Sequence, residues 1–528
     1  MDRCKKQWII GCFFDGNRIW ILGKAGIPVY KKQVTNYLDE ITSKFPDKTA
    51  LIDGKGELTF SELKTGAKRI ASFLAIRKLY KQPVAVFLPK CKECIMTFMG
   101  IAYSGNFYTP IDTSMPVTRI AKILETLKPS VIITDTVHKE EALALPGGAV
   151  LTLEEMLATS INETLLTEAS NHIIDTDVLY VFFTSGSTGT PKGVTISHRA
   201  VIDYTEWVTE TFQIDERHIF GNQAPLYFDN TVLDIYQMLK TGATLCLIPE
   251  NLFVFPPLLL DYLKEKKINT IFWVPSALSF VANVGILADK PVPSLQKVLF
   301  CGEVMPNKQL NMWRRAYPDV LFANLYGPTE ITDVCAYYIV DRPFADNEPL
   351  PIGFPCRNTD ILVLDENNQL VEGDAIGELC VRGSSLSYGY YCQPEKTEAV
   401  FVQNPLNSAY PEKIYRTGDL VRYNDRGELI YVSRKDFQIK HMGYRIELGE
   451  IETAVSALDG ITMNCCLYDT ERNMITLFYT GTASDKEILA YLKNQLPVYM
   501  LPGRLLHLDN MPLNLNGKID RTFLKGQL

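Results

Sequence analysis

Apolar residues recur along the chain in short, fully hydrophobic runs separated by segments with a helical repeat. The run VAVFL at 84–88, followed by CIMTFMGIAYSG at 94–105, predicts a buried strand leading into a helix. Repeated along the chain, this alternation predicts α/β layers around mostly parallel sheets, since crossover helices cover both sheet faces. Two regions depart from it. Residues 8–23 (WIIGCFF-DGN-RIWILG) read as two short strands about an Asp-Gly turn, a hairpin added to the edge of the main domain. From Ile414 the texture changes to short β runs punctuated by TGD, NDRGE and SRKD, and a compact tail begins at Phe437, with a helical segment at 447–458 (ELGEIETAVSAL). The expected organisation is an N-terminal extension over 1–35, a large domain over 36–435 and a small α+β domain over 436–528.

Composition narrows the classes of partner. A chain of 528 residues, 46% hydrophobic and 22% charged, is long enough for two or more cores. A net charge of −8 with no basic tract argues against a nucleic-acid partner. The longest apolar stretches, such as WIIGCFF at 8–14, fall short of the roughly 20 residues that span a bilayer, and no secretory signal is recognisable. Twelve cysteines without paired metal-ligand spacing point to reduced thiols and a cytoplasmic location. The CKEC at 91–94 sits in a helical apolar stretch and reads as structural.

The stretch TSGSTGTPKG at 184–193 follows a strand-like run directly. Glycines at 186, 189 and 193 let backbone amides approach an anion, Thr184, Ser185, Ser187 and Thr188 add hydroxyl donors, and Lys192 adds positive charge. The order is not G-x-x-x-x-G-K-[ST], so this is not the common P-loop. Phosphate binding and a structural turn both fit the composition.

Four further segments extend the reading. The loop resembles the phosphate-binding signature of adenylate-forming enzymes, and NLYGPTEIT (324–332), YRTGDLVRY (415–423), SRKDFQIKHMGYRIELGEIE (433–452) and PLNLNGKIDR (512–521) resemble their later signatures, in order and across nearly the whole chain. Within that superfamily the chain resembles stand-alone amino-acid-activating adenylation domains of the nonribosomal peptide type. It is especially similar to D-alanyl carrier protein ligases at FCGEVMP (300–306) and DFQIKHMGYR (436–445).

The resemblance implies an ATP-dependent, AMP-forming ligase that makes an aminoacyl-adenylate and passes the acyl group to the phosphopantetheine of a separate carrier protein. It implies Lys518 as the principal catalytic group, bridging substrate carboxylate and α-phosphate. One such charge pair at ~4 Å is worth roughly 4 kcal/mol at an effective dielectric near 20, before desolvation. Glu330 would hold Mg²⁺, with Thr329 beside the α-phosphate. The loop Thr184, Ser185, Gly186, Ser187, Thr188, Gly189 and Lys192 would take the phosphates. Asp419 would accept from the ribose hydroxyls with Arg434 assisting, and Asn324, Tyr326 and Gly327 would meet the adenine side. Asp436 would be the hinge and Gly443 would line the thiol's approach. Ser433, in place of a glycine, and His441-Met442, in place of Ile-Arg, depart from the family pattern.

Asp229 matches the carboxylate that pairs with the α-ammonium in amino-acid-activating members. Leaving such a charge buried without its partner costs ~3–5 kcal/mol, which disfavours fatty and aryl acids. The implied pocket comprises Asp229, Asn230, Leu233, Ser276, Leu299, Cys301, Leu325, Asp333 and Val334. Cys301 and the leucines favour a small amino acid such as D-alanine, glycine, alanine or serine. Asp333 would face an ammonium or hydroxyl of the substrate, or point elsewhere. Lys435, Lys440, Arg445 and Arg504 are expected to form a basic docking face for an acidic carrier. A CoA ligase and a catalytically silent nucleotide-binding protein are the alternatives.

Overall fold

The computed structural model describes residues 30–186, 189–513 and 519–528, together with the backbone of two short strands, Cys12–Asp15 and Arg18–Ile21. These two pair antiparallel as a two-stranded sheet of their own, with Asp15 opposite Arg18.

Two large sheets carry the main body. In the six-stranded sheet, Val178–Thr184, Phe107–Ile111, Pro83–Phe87, Val131–Thr134 and Ala149–Thr152 run parallel, and Lys192–Ser197 closes one edge antiparallel to Val178–Thr184. In the nine-stranded sheet, six parallel strands run from Leu321–Tyr326 through Lys297–Phe300, Thr270–Trp273, Ile219–Asn222 and Thr244–Leu247 to Thr49–Asp53. The alternating pattern predicted this arrangement. The helix Lys92–Tyr103, predicted from 94–105, is buried at every position except Glu93. It is apolar around most of its circumference, as a helix packed on all sides must be. Cys91 and Cys94 are free, buried thiols at its start, and burial pushes both upward in pKa.

A five-stranded antiparallel sheet follows, centred on Lys413–Tyr423. Here the sequence reading is corrected: TGD does not punctuate two runs but lies inside one strand. Gly418 takes φ +74°, and register shifts in both neighbouring ladders absorb the irregularity. Beyond Arg434, the hairpin Gln438–His441 and Tyr444–Glu447 leads into the helix Leu448–Ser456. A three-stranded sheet of Ile461–Asp469, Met474–Gly481 and Arg504–His507 completes a small α+β unit with its own core. The hairpin turn is built on Met442 (φ +52°) and Gly443 (φ +80°), the two left-handed residues that a tight two-residue turn of right-twisted strands demands.

Candidate active site

TSGSTGTPKG is the tip of the hairpin that joins Val178–Thr184 to Lys192–Ser197, with Thr184 opposite Lys192. It is a built loop rather than a linker. A Cβ on Gly186 would stand 2.0 Å from the Thr190 carbonyl oxygen, so only glycine fits there. The Thr184 hydroxyl is buried with no hydrogen-bond partner among the described residues. Ser187, Thr188 and the expected catalytic Lys518 lie outside the described residues.

One cavity brings together Thr184, Ser185, Asp229, Asn230, Cys301, Gly327, Thr329, Asp333, Asp419 and Arg434, with Lys440 and Gly443 entering from the small unit's hairpin. Apart from Asp229, Asn230 and Asp333, these come from five of the segments singled out in the sequence. Asp419 follows Gly418 at the bend in its strand and is buried. The Tyr326 hydroxyl donates to one of its oxygens and Arg434 Nη1 donates to the other at 2.8 Å. Arg434 also reaches Asp436 through two bonds of 2.6 and 2.7 Å, so the cavity carboxylate and the expected hinge acid share one guanidinium. Lys440 Nζ stands 5.4 Å from the Tyr326 ring centroid, a cation–π contact. Asn324 is buried, gives its Nδ2 to the Pro351 carbonyl at 2.8 Å and does not line the cavity.

Asp229 precedes the helix Thr231–Thr241 and is half-buried in the cavity wall. Desolvation pushes its carboxyl up, against downward pulls from a Thr329 hydrogen bond and the more distant Lys440. No cation stands within ion-pair distance of it among the described residues. Asp333 lies in the loop after Leu321–Tyr326 at φ +73°, next to Thr332 at +61°. Gly327 makes this path possible, because a Cβ there would sit 2.2 Å from the Asp333 carbonyl oxygen. Asp333 is 1% exposed and accepts the Tyr204 hydroxyl at 2.6 Å. Burial, then the nearby Asp229, drive its carboxyl well above the usual range. Of the other expected pocket residues, Cys301 lines the cavity, while Leu233, Leu299, Leu325 and Val334 lie in the surrounding hydrophobic core. Ser276 sits elsewhere: its amide donates to Glu303 Oε2 at 2.9 Å, and Gly443's amide donates to the other oxygen at 3.0 Å.

Glu330 is fully buried. Its Oε1 accepts from Tyr390 at 2.7 Å and its Oε2 from Arg445 Nη1 at 2.5 Å. Burial alone would raise its pKa, but Arg445 and then Lys192 outweigh it and hold the carboxyl at about 2. Both oxygens are thus committed to protein donors, and no group of three or more metal-ligating side chains occurs among the described residues. In this arrangement Glu330 does not fit a Mg²⁺ ion.

The small unit grips the 184–193 loop. Ser185 Oγ donates to the Arg445 carbonyl at 2.6 Å and accepts from the Glu447 amide at 3.2 Å, and Lys192 pairs with Glu447 at 3.3 Å. The Gly186 amide donates to Glu450 Oε2 at 3.2 Å, and Arg119 pairs with the other Glu450 oxygen in a buried bridge. Tyr444 stacks on Tyr499 at 3.6 Å and meets Phe228 edge-on. The expected basic docking face is therefore corrected at Arg445 and Lys440. Arg445 and Lys440 are turned inward to Glu330 and the cavity, Lys435 pairs with Glu378, and Arg504 bonds the Leu528 carbonyl. Sequence reasoning missed Tyr204, Arg119, Glu303 and Glu450. Glu303 and Glu450 lay in recognised segments, but no spacing pairs Glu450 with Arg119 across 331 positions.

The AMP-binding enzyme family matches residues 38–391. A mycosubtilin synthase of Bacillus subtilis is 34% identical over 508 residues, 94% of this chain. The D-alanine--D-alanyl carrier protein ligase of Lacticaseibacillus casei (strain BL23) is 30% identical over 93% of this chain and 98% of its own length. The chain spans only 19% of that mycosubtilin synthase and 14% of tyrocidine synthase 2 of Brevibacillus parabrevis. Among solved structures, the amide bond synthetase McbA from Marinactinospora thermotolerans is similar with a TM-score of 0.82 at 18% identity, covering 93% of this chain and 99% of that one. The Vibrio cholerae adenylation domain AlmE in complex with glycyl-adenosine-5'-phosphate gives 0.81 at 21%, covering 96% and 99%. At these identities the structural likenesses bear on fold.

Proposed function

The chain belongs to the AMP-binding enzyme family, and on that premise we propose that it activates a small amino acid with ATP and hands it to a separate carrier protein. The amino acid's carboxylate attacks the α-phosphate, forming an aminoacyl-adenylate and releasing pyrophosphate. The carrier's phosphopantetheine thiol then attacks the acyl carbonyl, forming a thioester and releasing AMP. Neither step needs a protein nucleophile; both need anions aligned and their charge offset.

The observation that carries this reading is a single cavity lined by Thr184 and Ser185 of the loop, by Asp419 with Arg434, and by Asp229, which has no ion-pair partner among the described residues. The loop's amides and the Thr184 hydroxyl, unpartnered among the described residues, suit phosphate oxygens, Asp419 suits vicinal hydroxyls, and Asp229 suits an ammonium. The match to a D-alanine--D-alanyl carrier protein ligase over 98% of that ligase's length supports a carrier as partner. Lys518 bridges carboxylate and phosphate in the first step, and the Gly443 hairpin lines the thiol's path in the second. Mg²⁺ accompanies ATP in this reading, and its holding by Glu330 requires Arg445 to leave that carboxylate. The described cysteines are all free and all but Cys392 buried, which suits a reducing cytoplasm. No helix among the described residues is long and apolar enough to cross a membrane.

Amino-acid-dependent ATP–pyrophosphate exchange, run with both enantiomers of the standard amino acids, glycine, and several fatty and aryl acids, tests the reading. Exchange with small amino acids supports it, and exchange only with acids lacking an α-amine would overturn it in favour of a CoA ligase. Lys518→Ala is expected to suppress exchange by orders of magnitude while ATP still binds; undiminished turnover would sink the role given to Lys518.

A further inference from the structure

Three polar side chains in the cavity have unmet bonding capacity. Asp229 and Asp333 are two carboxylates in one cavity, the second fully buried, with no ion pair to either among the described residues. Asn230, 5% exposed and lining the same cavity, has an Nδ2 with no hydrogen-bond partner among the described residues. Buried polar groups that the protein leaves unpaired are costly, and in a ligand cavity the ligand is the remaining source of partners.

The inventory is two acceptors and one donor. In the reading proposed above, on which this inference rests, Asp229 takes the α-ammonium. That leaves Asp333 needing a donor and Asn230 needing an acceptor. An alkyl side chain supplies neither and an ammonium only a donor; a hydroxyl supplies both.

We propose that the pocket is built for a short hydroxylated amino acid, serine or its near homologue threonine, whose side-chain hydroxyl donates to Asp333 and accepts from Asn230.

Tyr204 fits this role, since its 2.6 Å bond fixes one Asp333 oxygen and leaves the other for the substrate. The loop geometry fits as well: two consecutive residues in the left-handed region, Thr332 and Asp333, are held there although neither is glycine. Such backbone is uncommon for non-glycine residues and tends to be kept where a side chain must be aimed. Leu233, Leu299 and Leu325 share a hydrophobic core cluster with Cys301, the one of the four that lines the cavity.

Three side chains of equal size decide the matter. Serine, 2-aminobutyrate and 2,3-diaminopropionate differ only in ending on a hydroxyl, a methyl or an ammonium. Pyrophosphate exchange is measured with both enantiomers of each, with threonine and alanine alongside, on the wild-type chain and on Asp333→Leu. The expected result is a kcat/KM for serine at least about a hundredfold above 2-aminobutyrate, as for sites that hydrogen-bond a substrate hydroxyl. That ratio should fall by at least about tenfold in Asp333→Leu. If 2-aminobutyrate, alanine or 2,3-diaminopropionate equals or exceeds serine, the inference is overturned while amino-acid activation stands. A serine preference that survives in Asp333→Leu overturns the role of Asp333. Silence with every amino acid overturns the proposed function itself. Should the variant fail to fold, the wild-type comparison of the three isosteres still decides.

Discussion

In the proposed reading, Asp229 is the cavity carboxylate that sets selectivity for an α-amine. Desolvation weighs on its charge and no cationic partner pairs with it among the described residues, so an acid without an α-amine leaves it uncompensated. Asp229→Ala should lower exchange with small amino acids by about a hundredfold or more and narrow the gap between alanine and propionate. An unchanged ratio between those two acids would refute the ammonium assignment. Gly443 is constrained differently: its φ is +80°, and a Cβ would stand 2.4 Å from Val274 Cγ1. Gly443→Ala is expected to slow carrier loading more steeply than exchange, and equal loss of both would argue against a role in the thiol's path. At this scale the sequence was informative where a residue lay in a recognised segment. Asp229, Thr329, Asp419 and Arg434 do share one cavity. Tyr204, whose bond to Asp333 spans 129 positions, sits in an ordinary amphipathic helix and carries no local signal.

Elements were legible wherever hydrophobic period and length agreed, as in Pro83–Phe87 followed by Lys92–Tyr103. The strand Lys413–Tyr423 was misread because Gly418 looks like a turn, whereas its positive φ makes a bend within the ladder and turns Asp419 toward the cavity. The helix His198–Phe212 offers a test of stability at its first residue. His198 is buried, accepts the Val34 amide at Nδ1 (3.3 Å) and is pushed by burial down to about 4, against weaker upward pulls from Asp177 and Asp175. A histidine whose pKa is depressed on folding contributes its stability fully above its unfolded value near 6.5. That contribution is lost as pH falls toward 4, up to on the order of 3 kcal/mol. His198→Asn keeps an acceptor near the Nδ1 position but does not titrate. Urea unfolding at pH 7 and pH 5 should show a smaller loss on acidification for the variant than for the wild type. Identical losses would remove His198 from the account.

For the whole molecule, the decisive contacts lie between the small unit and the large one, and these were the least legible. Composition and motif order indicate two units and a hinge acid, but not which charges meet. Basic residues expected at the surface are turned inward: Glu330 outcompetes water for Arg445, and Lys440 lines the cavity and meets the Tyr326 ring. The Arg119–Glu450 bridge is buried on both sides, at 5% and 3% side-chain exposure. Removing one partner of such a pair costs about 3–5 kcal/mol. Arg119→Ala should therefore release the small unit, increasing the radius of gyration by small-angle scattering and speeding protease cleavage near Arg434–Phe437. If neither changes, the bridge does not hold the units together.

The contact between Gly186 and Glu450 has a thermodynamic side as well. The amide that a phosphate oxygen would use is already bonded to a carboxylate of the same chain, backed by Arg119. Glu450 is thus a tethered competitor at high effective concentration. Any anion arriving at that amide binds with its intrinsic Kd divided by the fraction of molecules in which the loop is free. If the docked state is favoured about tenfold, the apparent Kd rises about tenfold, and each phosphate bound shifts the small unit outward by the same factor.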